Sequence, residues 1–214
     1  MKTNSLWKDA FVRLAKDKLA LVSLFIVLIY FLIALLSSLG LIASTWSQEV
    51  GASNMAPSLE HIFGTDIFGR SVFQKVIRGT QVAMSVGVAA SIIAIPIGVL
   101  LGAFAGYFGG WIDDFVTWLY TTFSSVPNIM LLISITLILG KGIFAVYIAL
   151  GATSWVTLCR LIRGEVMKHK EREYVQAAGA IGGGDMRKLF RHILPNVSHI
   201  IIINTSMQFQ IAIK

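Results

Sequence analysis

The 214-residue sequence is short of charge and of cysteine, and each shortage excludes a class of protein. Only 14% of its residues are charged, whereas soluble domains carry roughly 25%. Together with 56% hydrophobic residues and a mean hydropathy of +0.75, this indicates an integral membrane protein. The single cysteine, Cys159, excludes an internal disulfide and a cysteine-based metal cage. We expect it to be a small apolar residue within a span.

The motifs of the common catalytic and metal sites are also missing. Gly182, Gly183 and Gly184 lack the lysine of a phosphate-binding loop, so the chain is not expected to hydrolyse ATP. No His, Cys and carboxylate cluster has metal-ligand spacing. An intramembrane protease would need ionisable residues within its spans, and the first four predicted spans contain none. We therefore expect no catalytic residue, no metal and no cofactor.

Long charge-free runs predict where the chain crosses the membrane. The first has an apolar core at residues 19–42, about 36 Å as a helix, which exceeds a hydrocarbon layer about 30 Å thick. It is too long for a signal-peptide core and lacks a convincing cleavage site, so we expect it to be retained. Three more runs occupy residues 79–112, 115–140 and 142–159, and a fifth begins near Val197. The sequence stops within this fifth predicted span, at Lys214.

The net charge of +7 is unevenly distributed between the predicted loops. Five Lys or Arg precede the first span and eight lie between residues 160 and 191, all on one side of the membrane if the spans alternate. Four lie on the other side: Arg70, Lys75, Arg78 and Lys141. This positive-inside asymmetry predicts a cytoplasmic N-terminus and places residues 43–78 outside. The loop that carries Asp113 and Asp114 must then be cytoplasmic, and acids count little in that rule.

The second run carries a small residue at every fourth position: Ala90, Ala94, Gly98, Gly102 and Gly106. Small residues let two helix backbones approach closely, so we expect packing within the bundle, with a subunit contact as the alternative. Pro96 in this run and Pro127 in the next are expected to kink their helices.

The fifth predicted span is the most polar of the set, with Ser, His, Asn, Thr and Gln side chains between residues 198 and 210. Asn204 and Gln208 share one helix face because they are four residues apart. Polar residues within a membrane usually face the bundle interior or a watery cavity. Asn204 and Gln208 are therefore candidates for lining a transport pathway, and interhelical hydrogen bonding is the alternative.

Between the fourth and fifth predicted spans lies a charged segment, residues 171–195, that is broken by glycines. Two helices are indicated by residues at i, i+3, i+4 and i+7. Their apolar faces comprise Tyr174, Ala177, Ala178 and Ile181 in the first, and Met186, Leu189, Phe190 and Ile193 in the second. Gly182 is expected to end the first helix, Asp185 to cap the second, and Pro195 to close it. Such a hairpin predicts a docking element for a soluble partner. A solvated connector is one alternative, and a DNA-binding helix-turn-helix is disfavoured because two spans flank it.

This hairpin resembles the EAA loop of ABC-importer permeases. That pattern is Glu-Ala-Ala, three residues, Gly, nine residues, an apolar residue, any residue and Leu-Pro. The matching residues are Gln176, Ala177, Ala178, Gly182, Leu194 and Pro195. Gln176 replaces the glutamate, and His192 occupies the apolar position. The resemblance implies a loop that couples to an ATPase, with Glu173, Tyr174, Asp185 and Arg191 as further members of the coupling surface.

A second resemblance concerns residues 57–80. His61, Gly64, Thr65, Asp66, Gly69 and Arg70 match the C-type permease subunit of oligopeptide, dipeptide and nickel importers, with Ser71 in place of the usual Asp. Residues 7–24 and 100–114 also resemble that family, so the resemblance covers essentially the whole chain. After this motif, Val72, Phe73, Val76 and Ile77 form an apolar strip. That strip predicts an amphipathic helix on the membrane surface.

The family resemblance implies an all-α membrane protein with the type I ABC-importer permease fold and about five of the family's six spans. Three parts are expected: residues 1–42, a cytoplasmic tail and the first span; residues 43–80, an extracytoplasmic segment; and residues 81–214, the permease core. The core includes the coupling loop, residues 163–195, and its C-terminus looks incomplete, from truncation or because the natural product is a fragment.

The implied partners are a second related permease, two cytoplasmic ATP-binding subunits, an extracytoplasmic solute-binding protein and the lipid bilayer, with no nucleic acid. The implied location is a bacterial or archaeal plasma (inner) membrane that the chain crosses several times. Peptide is the expected substrate class, and nickel is the family's second option. A non-transporting scaffold that binds an ATPase and a membrane-embedded enzyme are the alternatives from other classes.

Overall fold

The computed structural model describes residues 14–213, with side chains described from 14 to 211. Its helices, in chain order, are α1 Lys18–Ser38, α2 Val72–Phe108, α3 Gly110–Ser125, α4 Asn128–Leu139, α5 Ile143–Lys170, α6 Glu173–Ala180, α7 Asp185–Arg187 and α8 Leu194–Ile213. A π-helical stretch, Lys188–Ile193, joins α7 to α8. Three of the basic residues behind the topology prediction, Lys2, Lys8 and Arg13, lie outside the described residues.

Within the described part of the chain, α1, α2 and α5 are long and apolar enough to cross a membrane. The pair α3 and α4 meets the same requirement together, but the chain bends by 91° between them. α8 has the 20 residues of a span, about 30 Å in length, but no stretch as apolar as those of α1, α2 and α5. The described residues thus contain three or four apolar candidate spans, fewer than the five predicted.

Two compact units make up the chain, one up to Ser85 and the other from Val86 onward. In the first unit, Asp17 caps α1 by accepting hydrogen bonds from the N–H groups of Leu19 (3.0 Å) and Ala20 (3.2 Å). Most apolar side chains of α1 are exposed on all sides of the helix. A helix that is apolar all round suits a lipid environment.

The segment between α1 and α2 folds around Thr65 and Asp66. The hydroxyl of Thr65 donates to the carbonyl of Ala52 (2.6 Å) and accepts from the N–H of Met55 (2.9 Å). Two glycines of the motif, Gly64 and Gly69, have φ of +68° and +69°, and a Cβ on either would lie 2.2 Å from a carbonyl oxygen. Both positions therefore require glycine.

Asp66 holds the turn that follows. Its Oδ1 accepts hydrogen bonds from the N–H groups of Phe68 and Arg70, both at 2.8 Å. Its Oδ2 accepts from the ammonium of Lys75. The hydrogen bond from Lys75, with those from the backbone, lowers the pKa of Asp66 from 3.8 to about 2. The Gly-Thr-Asp motif is thus a folded turn held by side-chain-to-backbone bonds.

The predicted amphipathic surface helix is not a separate element, and that prediction is wrong. Residues 72–80 are the first turns of α2, which has 37 residues and is about 55 Å long. The only glycine there, Gly79, costs a helix about 1 kcal/mol, too little to end it. Since the hydrocarbon layer is about 30 Å thick, α2 has length to extend beyond it.

In the second unit, α2 packs closely against α5 along the small-residue stripe. A Cβ on Gly98 would lie 2.9 Å from the carbonyl oxygen of Trp155. On Gly102 and Gly106 it would lie 2.5 Å from the carbonyl oxygens of Cys159 and Arg163. These distances confirm that the stripe serves packing within the bundle, and they leave no room for larger side chains.

The two prolines of these helices behave differently. α2 continues through Pro96 as one helix. At Pro127 the chain breaks instead of kinking: Val126 is extended (φ −100°, ψ 134°) and a new helix begins at Asn128. Proline disfavours the helical conformation of the residue before it, which accounts for the extended Val126. The expected kink is therefore a full break between α3 and α4.

Candidate functional site

The charged segment after α5 is a helical hairpin, as the sequence predicts. α6 ends at Ala180, and Gly182 takes a φ of +85°. The N–H of Gly182 donates to the carbonyl of Gly179 (2.9 Å), and the N–H of Gly183 donates to that of Ala178 (2.9 Å). These bonds satisfy carbonyls left free at the helix end, and the positive φ favours glycine. The break at Gly182 is confirmed.

Asp185 is not the N-cap that the sequence predicts. Gly184 occupies that position, and Asp185 is the first residue of α7. Its carboxylate accepts a hydrogen bond from the phenol of Tyr107 (2.8 Å) and pairs with the ammonium of Lys188 (2.8 Å). The hydrogen bonds from Lys188 and Tyr107 lower the pKa of Asp185, and Asp185 raises the pKa of Lys188. The side chain bonds to α2 instead of its own helix end because that buried phenol lies within reach.

Pro195 does not end the second helix, so that prediction is wrong as well. The helix runs from Asp185 to Ile213 and widens to a π-helix over Lys188–Ile193. The N–H of Leu194 accordingly donates to the carbonyl of Leu189, five residues back. This wider turn lets a proline, which lacks an N–H and crowds the preceding turn, lie within a continuous helix. The hairpin therefore leads into α8 without a hinge.

Each predicted apolar face of the hairpin is buried in part and exposed in part. The side chains of Val175, Ala178, Leu189 and Ile193 are buried in the second unit. Tyr174, Ile181, Met186 and Phe190 are exposed, and Ile181 is 88% exposed. Other residues of the predicted coupling surface lie as follows: Glu173, Gln176, Ala177, Gly182, Arg191 and Pro195 are exposed, and Leu194 is partly buried. Val175 was absent from the predicted apolar face, although its spacing of three from Ala178 is helical.

Polar contacts join the end of α2 and the start of α3 to α5 and to the hairpin. The ring of Tyr107 is buried, and the ammonium groups of Lys170 and Lys188 lie 5.5 and 6.0 Å from its centroid. The carboxylate of Asp113, in the first turn of α3, pairs with the guanidinium of Arg163 on α5. The loop between α2 and α3 therefore lies at the same end of the unit as the start of the hairpin.

A cavity of about 490 Å³ lies where the α3–α4 break faces α5 and α8. The side chains of Asn204 and Gln208 line it, as do Pro127, Asn128 and Arg160. The amide nitrogen of Gln208 donates to the carbonyl of Ser154 (2.7 Å), and its Oε1 is buried with no hydrogen-bond partner among the described residues. Asn204 bonds to the carbonyl of Ile200 in its own helix (3.2 Å). The arrangement offers polar groups around an open space between three elements.

Within residues 14–213, no three His, Cys, Asp or Glu side chains come together as a metal ion would need. Cys159 is buried between α2 and α5, where its carbonyl oxygen faces Gly102. The candidate site thus consists of the exposed hairpin and the cavity.

Sequence comparison identifies two families along the chain. Residues 98–214 match the family described as "Binding-protein-dependent transport system inner membrane component". Residues 5–57 match the "N-terminal TM domain of oligopeptide transport permease C". Together the two matched regions include α1 and everything from the last third of α2 onward.

Similar proteins cover nearly all of this chain. The oligopeptide transport system permease protein OppC of Bacillus subtilis (strain 168) is 33% identical over 212 residues, 99% of this chain and 70% of its own length. The dipeptide transport system permease protein DppC of the same strain is 35% identical over 206 residues, 96% of this chain and 64% of its length. DppC of Alkalihalophilus pseudofirmus is 38% identical over 209 residues, 97% of this chain and 68% of its length. The chain thus spans about two thirds of these relatives.

Proposed function

The chain belongs to the family of binding-protein-dependent transport system inner membrane components, and on that premise we propose that it is the permease subunit of an ATP-driven peptide importer. The relatives quoted above are permease proteins of oligopeptide and dipeptide transport systems. The helical architecture with several apolar candidate spans is that of an all-α ABC-importer permease. The observation that carries the proposal is the exposed hairpin that leads without a break into a polar helix lining a cavity.

The proposed complex has a second related permease beside this chain, two ATP-binding subunits below it and a solute-binding protein above it. The hairpin is the part offered to the ATP-binding subunits. Its exposed side chains include the apolar Ile181 and Met186, the ring of Tyr174, and the charged residues Glu173 and Arg191. An exposed apolar patch with a polar rim is typical of a protein–protein interface. Gln176 stands where the EAA pattern has a glutamate, which leaves this contact with one negative charge fewer.

ATP binding would close the two ATP-binding subunits and carry the hairpin with them. The second helix of the hairpin continues into α8, so a displacement of the hairpin moves α8 directly. Asn204 and Gln208 lie on α8 and face the cavity. Rocking of packed helices around a fixed site is how many transporters alternate their access. In this mechanism the hairpin is a rigid lever, and Asn204 and Gln208 are pathway residues.

For the proposed orientation, the N-terminus and the hairpin lie in the cytoplasm, and residues 43–78 lie outside, in a bacterial or archaeal plasma membrane. The asymmetry of Lys and Arg supports this assignment. The pair of Asp113 with Arg163 also supports it, because it holds the acidic loop at the end of the unit that bears the basic residues. The outer segment, with its folded Gly-Thr-Asp turn, would then face the solute-binding protein.

The test is uptake by the complex co-purified from native membrane and reconstituted in vesicles. We expect ATP-dependent accumulation of a labelled tripeptide in the wild type. Gly182→Pro should leave the complex assembled but lower uptake per ATP hydrolysed, because proline cannot adopt the φ of +85° found there. Gly184→Ala is the matched control, since Gly184 has an ordinary φ of −65° and open space around its Cβ position.

Each alternative predicts a different result from the same vesicles. Uptake of nickel ions and none of peptide would assign the substrate to the second class. An assembled complex that hydrolyses ATP and moves neither would indicate a scaffold. Wild-type uptake per ATP in Gly182→Pro would contradict the lever. Replacing Asn204 and Gln208 together with leucine should lower uptake with assembly retained, whereas loss of the complex itself would assign these two residues to interhelical packing.

A further inference from the structure

One wall of the cavity carries a cation that has no acidic partner among the described residues. The guanidinium of Arg160, on α5, donates one hydrogen bond from Nη2 to the hydroxyl of Ser124 (2.8 Å) and lies 4.7 Å from the ring centroid of Tyr120. Arg163, one turn along the same helix, is paired with Asp113 instead. A guanidinium has five N–H donors, so Arg160 retains donors for a further acceptor.

The break between α3 and α4 adds a second source of positive potential. α4 begins at Asn128 on the cavity lining, and the residue before it, Pro127, forms no side-chain cap. The first N–H groups of a helix lack partners within the helix, and the helix dipole favours negative charge at this end. Arg160 and the start of α4 therefore border the same cavity with the same sign of charge.

The other part of the lining, on α8, is uncharged and includes two side-chain amides. The Oε1 of Gln208 is buried without a partner, and Asn204 lies one turn away on the same lining. A buried acceptor without a donor costs free energy, and a ligand N–H would satisfy it. The cavity thus combines an anion-attracting wall with an acceptor suited to an amide N–H.

These two kinds of group match the two ends of one chemical unit, the C-terminal residue of a peptide. We propose that the cavity is a passage site in which Arg160 and the start of α4 hold the α-carboxylate of a transported peptide. Gln208 accepts a hydrogen bond from its backbone N–H. This rests on the proposed function and deepens it by naming the substrate group that the permease itself recognises.

Arg160 is exposed in the isolated chain, so its attraction for a carboxylate is modest and screened by solvent. Modest attraction suits a pathway, in which a substrate must be able to leave as well as enter.

The experiment compares uptake of two forms of one labelled tripeptide, with a free C-terminal carboxylate or a C-terminal amide, by the reconstituted complex. The readout is the ratio of kcat/KM for the acid to that for the amide. We expect Arg160→Gln to lower this ratio about tenfold relative to wild type, the effect of losing one charge-assisted hydrogen bond that is partly exposed. Arg160→Lys should retain part of the preference, because it keeps the charge but not the planar fork.

Using the ratio removes the contribution of the solute-binding protein, whose own preference is the same for every permease variant. Lys141→Gln is the control, since it removes an exposed cation between α4 and α5, outside the hairpin, and should leave the ratio unchanged. An unchanged ratio in Arg160→Gln would overturn the inference and leave the proposed function intact. If Arg160→Gln instead removed a dependence of uptake on anionic lipid in the vesicles, again with an unchanged ratio, Arg160 would be assigned to binding a lipid headgroup. That result would also overturn the inference. Uptake of neither peptide by the assembled wild type would instead overturn the proposed function, and this inference with it.

Discussion

The phenol of Tyr107, at the end of α2, donates a 2.8 Å hydrogen bond to the carboxylate of Asp185, the first residue of α7. The two residues are 78 positions apart in the sequence. Because the ring of Tyr107 is buried and Lys188 bonds to the same carboxylate, the contact fixes the start of the second hairpin helix against α2. The hairpin is thereby tied to two long helices: to α8 by the chain itself and to α2 by this bond.

Tyr107→Phe should therefore weaken coupling without preventing assembly. The change removes only the hydroxyl, at a cost of about 1 kcal/mol for one hydrogen bond with an exposed partner. We expect uptake per ATP hydrolysed to fall several-fold while the amount of complex recovered stays the same. Tyr30→Phe is the control, since Tyr30 is exposed on α1. Equal coupling ratios in the two variants would show that the bond has no mechanical role.

The contact between α2 and α5 predicts a severe effect from a larger side chain at Gly102. A Cβ there would lie 2.5 Å from the carbonyl oxygen of Cys159, and neither backbone can move without separating the helices. Gly102→Val should lower the free energy of unfolding by about 3 kcal/mol or prevent accumulation in the membrane. Gly164→Ala, on the facing helix, has open space around its Cβ position and should be tolerated. Thermal melts in detergent would compare them, and equal melting temperatures would contradict the close packing.

The ion pair of Asp113 with Arg163 should contribute to stability because both side chains are largely withdrawn from solvent. Asp113→Asn leaves the guanidinium without its partner, and we expect a loss of about 2 kcal/mol, less than for a fully buried pair. Asp114→Asn removes the neighbouring, exposed carboxylate and serves as the control. The measurement is again the melting temperature. Restoration by the exchanged pair, Asp113→Arg with Arg163→Asp, would attribute the loss to the pair itself.

The Gly-Thr-Asp turn should lose its protection from hydrogen exchange as the pH falls. Hydrogen bonds, chiefly from Lys75, lower the pKa of Asp66 from 3.8 to about 2. A lowered pKa means that the carboxylate stabilises the turn above pH 3.8 and that this stabilisation is lost as the pH falls towards 2. The N–H groups of Phe68 and Arg70 bond to this carboxylate, so their hydrogen-exchange protection factors should fall over that range. In Lys75→Met the fall should begin at higher pH, and identical profiles would contradict the assignment.

The sequence predicts the packing stripe and the hairpin break correctly because glycine, which can be recognised from the sequence alone, is present at both. Its predictions for Pro195 and Pro127 fail in opposite directions. Helix continues through Pro195, where Leu189, Ile193 and Val197 are all fully buried, so that packing holds the helix together on both sides of the proline. At Pro127 the neighbours Val126, Ile129 and Met130 are exposed, and nothing opposes the break. The residue type is the same, and tertiary packing decides the outcome.

The local sequence also does not predict which charged side chains form ion pairs. Arg160 and Arg163 belong to one short basic run of the sequence, yet among the residues that the structure describes only Arg163 meets a carboxylate, from a residue 50 positions away. The helical periodicity of the sequence likewise predicts the apolar faces of the hairpin. It does not predict which residues of each face are buried in the core and which are exposed to solvent. Leu189 and Ile193 turn into the core, and Met186 and Phe190 from the same predicted face are exposed.

The central claim is that the hairpin docks on an ATP-binding subunit, and photo-crosslinking at Ile181 tests it most directly. Ile181 is 88% exposed at the hairpin turn, and Ile202, 62% exposed on α8, is a matched exposed control outside the hairpin. A photoreactive amino acid would replace each residue in turn in cells that carry the whole transport system. We predict that position 181 yields an adduct whose partner contains a Gly-x4-Gly-Lys-Ser/Thr phosphate-binding loop, and that position 202 does not. No such adduct at 181, or equal yields at the two positions, would contradict the account.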